Sequence, residues 1–106
     1  MNNRKKRSDP DHELYKAILK LETLEECYNF FVDLCTVSEM KAMEQRYEVA
    51  KLLNQGMIYN DILERTGASS ATISRVNRSL NYGTDTYRLV FSRLQQDEDG
   101  EEEQQP

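Results

Sequence analysis

The stretch ILERTGASSATISRVNRSL, residues 62–80, places one glycine between apolar residues at set distances, and that spacing restricts the fold more than any other feature of the chain. Ile62 lies five residues before Gly67, Ile73 six after it and Val76 nine after it. A helix-turn-helix needs this pattern: the glycine occupies the tight turn, and the anchors pin the second helix against the first. Ser69 or Ser70 can cap the second helix, whose inner face is Ile73, Val76 and Leu80. The outer face then falls to Ala71, Arg75 and Arg78, with Thr72, Ser74 and Ser79 on its flanks. Small residues let a backbone approach a groove floor, hydroxyls bond bases or phosphates, and a helix N-terminus favours an anion. Ser69, Ser70, Ala71, Thr72, Ser74, Arg75 and Arg78 are therefore the candidate DNA-binding residues. The same pattern also suits a helical hairpin with a solvated face, and Leu63 stands where many such motifs carry a smaller residue.

The rest of the chain is compatible with that motif. Its 106 residues leave room for one domain, and low Pro, Gly and aromatic content beside many charged residues points to an all-α fold. Six helical segments are predicted and no strand pattern competes. The first spans 11–21. The second opens at Thr23, with Glu26 in capping-box position, and the third runs from Ser38 to a cap at Gly56. The third has two apolar stripes, Met40, Met43, Tyr47 and Ala50 on one side and Ala42, Val49, Leu52 and Leu53 on another. A helix apolar on two sides needs neighbours on both, and a chain this short buries a thin core alone, so a homodimer is expected. The last segment, 84–95, carries Tyr87, Val90, Phe91 and Leu94 on one stripe.

The net charge of −5 is concentrated at one end. Six of the 19 acids lie in QQDEDGEEEQQP, which leaves 13 acids against 14 bases in residues 1–94. The expected organisation is a disordered basic arm over 1–10, containing Arg4, Lys5, Lys6 and Arg7, a helix-turn-helix domain over 11–95, and a disordered acidic tail over 96–106. The arm is a candidate phosphate clamp, and the tail is either a solvated end or a weak competitor of DNA. Cys27 and Cys35, with the single histidine His12, read as reduced thiols and no metal site. No apolar run approaches the roughly 18 to 20 residues of a membrane span and no signal peptide is visible, so a cytoplasmic protein with no membrane partner is expected. No phosphate-cradling loop, nucleophile elbow or catalytic histidine set is present, and an enzyme is not expected.

Two segments, CTVSEMKAMEQRYEVAKLLNQG and ERTGASSATISRVNRSL, resemble the helical core of the Trp repressor superfamily, and the whole layout is similar to its YerC/YecD-like branch over about residues 12–94. The resemblance implies a six-helix, Trp-repressor-like intertwined homodimer in which each subunit offers one recognition helix to half of a double-stranded operator. The family's ATITR pattern matches Ala71, Thr72, Ile73, Ser74 and Arg75. It also implies an effector slot between the third helix and the recognition helix, with Arg46 and Arg75 on its two sides and Thr36 and Ser79 holding the ends of an amino-acid-like ligand. Departures from the family narrow the choice of ligand. Val76 replaces a glycine and is expected to crowd an indole, and Asp33 and Cys35 replace leucines that a partner subunit supplies. A more polar amino acid or metabolite than tryptophan is thus expected, or no effector at all, and no cofactor. The reading that follows is a DNA-binding repressor of a bacterial metabolic operon, gated by a small effector. A protein-protein adaptor and the DNA-binding subunit of a transposase-like machine use the same features differently.

Overall fold

The computed structural model describes residues 7–104 of the chain. Six helices follow one another: α1 (Glu13–Ile18), α2 (Leu24–Leu34), α3 (Val37–Asn54), α4 (Tyr59–Thr66), α5 (Ser70–Tyr82) and α6 (Thr86–Gln104). There is no strand among the described residues, and the all-α, six-helix order expected from the sequence is the one observed. No helix of the described residues is long and apolar enough to cross a membrane. The chain divides into two units, with the boundary between Met40 and Lys41 inside α3.

In the first unit, α1 is shorter than predicted. It ends at Ile18 because the chain tightens: the Lys20 and Leu21 N–H groups donate to carbonyls only three residues back. Thr23 caps α2, its hydroxyl accepting from Glu26 N–H at 3.0 Å, while Glu26 Oε1 accepts from Glu22 N–H at 2.8 Å rather than from Thr23 itself. No residue of α1 or α2 is buried. Leu19 and Leu24 are 84% and 87% exposed.

The second unit holds the core. The C-terminal half of α3 contributes Val49, Ala50 and Leu52, α4 contributes Ile62, and α5 contributes Ile73 and Val76, with Ala68 in the turn between the last two helices. Ile62 and Ile73 are 0% exposed, and burying side chains of that size contributes about 1.5–3 kcal/mol each. Leu63 is accommodated at the edge, half-buried against this cluster, as are Tyr87 and Phe91 of α6. At the end of α3 the Gly56 N–H donates to Leu53 O and the Met57 N–H to Leu52 O, with Gly56 at φ 88°. This paired closure satisfies carbonyls the helix leaves open and turns Met57 back onto the core. Gly67 closes α4 in the same left-handed region, at φ 70°, its N–H donating to Leu63 O.

α6 differs from expectation at its far end. The segment from 96 onward, expected to be a disordered acidic tail, is helical as far as Gln104. Gln and Glu are good helix formers, and Gln95 Nε2 donates to Asp99 Oδ1 at 3.2 Å, one helical turn on. These local preferences outweigh the unfavourable placement of acids toward a helix C-terminus. Of the basic arm, residues 1–6 lie outside the described residues.

Two of the turn glycines, Gly67 and Gly83, are expected to differ in their tolerance of alanine. A Cβ at Gly67 meets nothing within 4 Å, so Gly67→Ala should cost only the left-handed backbone, about 1–2 kcal/mol. At Gly83, between α5 and α6, a Cβ would overlap the Ser79 carbonyl, which is helix backbone and cannot step aside. Gly83→Ala should therefore destabilise the fold more than Gly67→Ala, and urea unfolding of the two variants checks the order.

Candidate nucleic-acid interface and adjoining pocket

Helix α5 begins at a side-chain cap. Ser69 Oγ accepts from Thr72 N–H at 3.1 Å and donates to Thr72 Oγ1 at 3.0 Å, so this hydroxyl is occupied by the helix start. Ser70 is the first helical residue and is exposed. The apolar period then turns Ile73, Val76 and Leu80 inward, all of them buried. With that face committed to the core, Ala71, Ser74, Arg75 and Arg78 are left exposed on the other, and Thr72 is half-buried at the border. One small residue, one hydroxyl and two guanidiniums thus stand on the open face of a helix whose opposite face cannot roll. Such a face can enter a major groove and bond base edges and phosphates.

A pocket of about 300 Å³ adjoins the start of this helix, between α3 and α5. It is lined by Ala42, Gln45 and Arg46 of α3 and by Ala71, Thr72 and Arg75 of α5. The structure therefore brings Arg46 and Arg75 to one cavity, at the lower end of the roughly 300–1,000 Å³ usual for small-molecule sites. Ser79 is exposed one turn beyond Arg75 and does not line it. Thr36 belongs to the first unit, where its hydroxyl accepts from Glu39 N–H at 3.1 Å while its own N–H donates to Glu39 Oε1 at 2.8 Å. That reciprocal capping box starts α3 at Val37, one residue earlier than the predicted Ser38.

Val76 requires a correction. Its side chain is 2% exposed in the core cluster and faces away from the pocket lining of Ala42, Gln45, Arg46, Ala71, Thr72 and Arg75. The inner-face period that buries Ile73 and Leu80 takes Val76 with them.

Two side chains that no local pattern singles out tie this motif to its neighbours. Gln45, in the pocket wall, donates from Nε2 to Thr66 O at 3.2 Å, just before the Gly67 turn. The Thr66 hydroxyl in turn donates to Ile62 O at 2.7 Å and accepts from Ala68 N–H at 3.1 Å. Arg88 of α6 donates to Leu80 O at 2.9 Å, at the other end of α5. The residue beside Arg46 was the available hint for Gln45. Nothing in the sequence near Arg88 indicates a partner eight positions back.

An all-α scaffold that buries one face of a short second helix and leaves an arginine-bearing face open belongs to the helix-turn-helix DNA-binding regulators. Comparison with known proteins narrows this: the Trp repressor protein family matches residues 11–95, and the chain belongs to that family. It is 51% identical over 86 residues to the uncharacterized protein YerC of Bacillus subtilis, a match that covers 81% of this chain and 83% of that protein. A TrpR-like protein from Eubacterium eligens is similar in structure with a TM-score of 0.78 and 54% identity, over 87% of this chain and 95% of the other. A proposed Trp repressor from Staphylococcus aureus gives 0.79 and 49%, over 90% and 95%. The family binds DNA, and a helix-turn-helix is in keeping with it.

The Thr36 capping box has a pH signature. The Thr36 N–H, and next the Thr36 hydroxyl, hold the Glu39 carboxyl below its ordinary value of 4.5 although it is fully exposed. A carboxyl whose folded value is depressed contributes stability that is complete above its unfolded value and is lost as pH falls through the folded one. Acid titration of stability is therefore expected to show a contribution that fades below pH 4.5 and is missing in Glu39→Gln. Thr36→Ala should cost about 0.5–2 kcal/mol as the loss of a helix cap, measured by urea unfolding at neutral pH.

Proposed function

We propose that this chain is a homodimeric, sequence-specific transcriptional regulator that represses a bacterial metabolic operon and is gated by a small amino-acid-like effector. The observation that carries the reading is the open face of α5, where Ser74, Arg75 and Arg78 stand exposed on a helix locked from behind by Ile73, Val76 and Leu80. Dimerisation is supported by the apolar side chains that one chain leaves in water, including Leu24, Tyr28 and Val37, at 87%, 58% and 72% exposure. Exposed apolar side chains of this size are ones that association with a second copy would cover. A two-fold dimer presents two recognition helices to one face of DNA, which requires an approximately palindromic operator with half-sites about 34–36 Å apart.

Arg75 connects the two halves of the proposal, since it stands on the open face of α5 and also lines the pocket. With Arg46 opposite on α3, a carboxylate bound there would tie the recognition helix to α3. The lining of two arginines, Gln45, Thr72 and two alanines contains no large apolar or aromatic side chain, which favours a ligand more polar than tryptophan. Such a ligand and DNA would bind with positive, reciprocal coupling, typically about 1–3 kcal/mol.

Two measurements test this. Titration of genomic fragments selected by the protein should give two chains per operator, and Arg78→Ala should lose about 1–3 kcal/mol on that sequence alone if it contacts a base, or lose affinity on all DNA with a shallower salt slope if it contacts phosphate. Unchanged binding to every duplex would remove the α5 face from the reading. In a thermal-shift screen of the amino acids, a polar one should raise both melting temperature and operator affinity, tryptophan should not, and Arg46→Ala should abolish the response while sparing ligand-free DNA binding.

A further inference from the structure

The junction of α5 and α6 carries interactions that the DNA-facing residues do not require. Arg88, in the first turn of α6, reaches back over the end of α5, where Nη1 donates to Leu80 O at 2.9 Å and Nη2 donates to Asn81 Oδ1 at 3.0 Å. The Leu80 carbonyl is one of the last four of α5, which the helix itself leaves without a donor. A guanidinium there satisfies it and offsets the negative end of the helix dipole. Arg88 also pairs with Asp85 at 3.5 Å, but the two side chains are 43% and 79% exposed, so that pair contributes little. The charge-assisted bonds to Leu80 and Asn81 are the stronger part.

Asn81 extends the connection. Its Nδ2 donates to Asn77 O at 3.0 Å and to Asn77 Oδ1 at 2.9 Å, so a polar line runs from α6 to the neighbour of Arg78. The turn has little freedom of its own, with Gly83 packed on the Ser79 backbone and Asp85 held at φ 69°. On either side of Arg88 along α6, Tyr87 and Phe91 stack with ring centres 6.1 Å apart and pack against the core.

We propose that Arg88 is a positioning residue for DNA recognition: it clamps the C-terminal end of α5 to α6 and so sets the tilt at which Ser74, Arg75 and Arg78 meet the duplex. The proposal rests on the DNA-binding reading above. Its leverage is geometric. A helix of 13 residues is about 20 Å long, so a tilt of about 5° moves one end by about 1.7 Å relative to the other. Hydrogen bonds to base edges tolerate only a few tenths of an ångström, whereas attraction to phosphates survives such a shift. A positioning fault should therefore lower affinity for the cognate sequence and leave non-specific binding alone.

The test uses the full chain with Arg88→Lys, which keeps the charge and loses the fork, and Arg88→Gln, which loses both. Each is titrated against the selected operator and against mixed-sequence duplex over a salt series, and amide exchange across residues 79–83 is followed in the DNA-free protein. Both variants should bind the operator about tenfold or more weakly, keep wild-type affinity and salt slope on mixed-sequence DNA, and exchange faster at the end of α5. Asn81→Ala, which removes one arm of the fork without altering α6, should give an intermediate loss and keeps the test decisive if either Arg88 variant fails to fold. Wild-type behaviour of Arg88→Lys, with Arg88→Gln weaker on all DNA and a salt slope smaller by about one, would make Arg88 a phosphate contact and overturn the proposal. Unchanged exchange at 79–83 would overturn it as well. If the wild-type protein discriminates no sequence, the sequence-specific reading fails and this proposal with it, and the exchange data still decide whether Arg88 holds the end of α5.

Discussion

The structure depends on the packing of Ile62 against Ile73 and Val76 around the left-handed turn at Gly67. Gly67 reverses the chain at φ 70°, a region that side chains with a Cβ rarely enter, and the three apolar residues then close over it with exposures of 0%, 0% and 2%. Because α5 is held by residues of one face only, its opposite face is determined by exclusion. Ser74, Arg75 and Arg78 are exposed because Ile73, Val76 and Leu80 are not. Interior packing at this density leaves no room for the helix to rotate by the hundred degrees or so that would exchange one residue for the next.

Polar contacts supplement that packing at both ends of the motif. Gln45 holds the turn from α3 through the Thr66 carbonyl, and Arg88 holds the far end of α5 from α6 through Leu80 and Asn81. Each is modest, since a hydrogen bond contributes about 0.5–1.5 kcal/mol net, or about 1.5–3 where a charge takes part. They add direction where apolar burial is indifferent to it. The first of these bonds lies beside the pocket, whose wall Gln45 shares with Arg46 and Arg75, and the second lies at the far end of α5.

The first unit shows the opposite balance. Its caps are well formed, with Thr23 at the start of α2 and Thr36 at the start of α3, yet neither α1 nor α2 has a buried residue. Their apolar side chains, among them Leu14, Ile18, Phe30 and Phe31, are at most half-buried, so they draw less on the burial that carries most helical stability in proteins. Local hydrogen bonding and tertiary burial are separate contributions, and in this unit the first is complete at the caps while the second is only partial.

That separation also explains which features were legible in the sequence. The Gly67 turn, the Thr23 cap, a serine cap on α5 at Ser69 or Ser70, the Gly56 closure, the six-helix order and the inner face of α5 all follow from rules acting within about a turn or two of chain: left-handed backbone favours glycine, side-chain oxygens satisfy the first N–H groups, and apolar residues recur every 3.6 positions. Resemblance to a known family extended this to the nearness of Arg46 and Arg75, which line one pocket. The absence of Val76 and Ser79 from the pocket, the bond from Gln45 to Thr66 and the reach of Arg88 over the end of α5 were decided by the tertiary structure alone. Each depends on the angle and distance between helices, and no spacing along one helix encodes those quantities. The extension of α6 to Gln104 is the intermediate case, because helix propensity and the bond from Gln95 to Asp99 are local, but the run of acids masked them. The sequence by itself determined where the chain turns and which face of each helix is apolar, because sterics and periodicity act locally; tertiary packing decided which polar side chains meet, because only the placement of one helix against another brings residues twenty positions apart within a hydrogen bond's length.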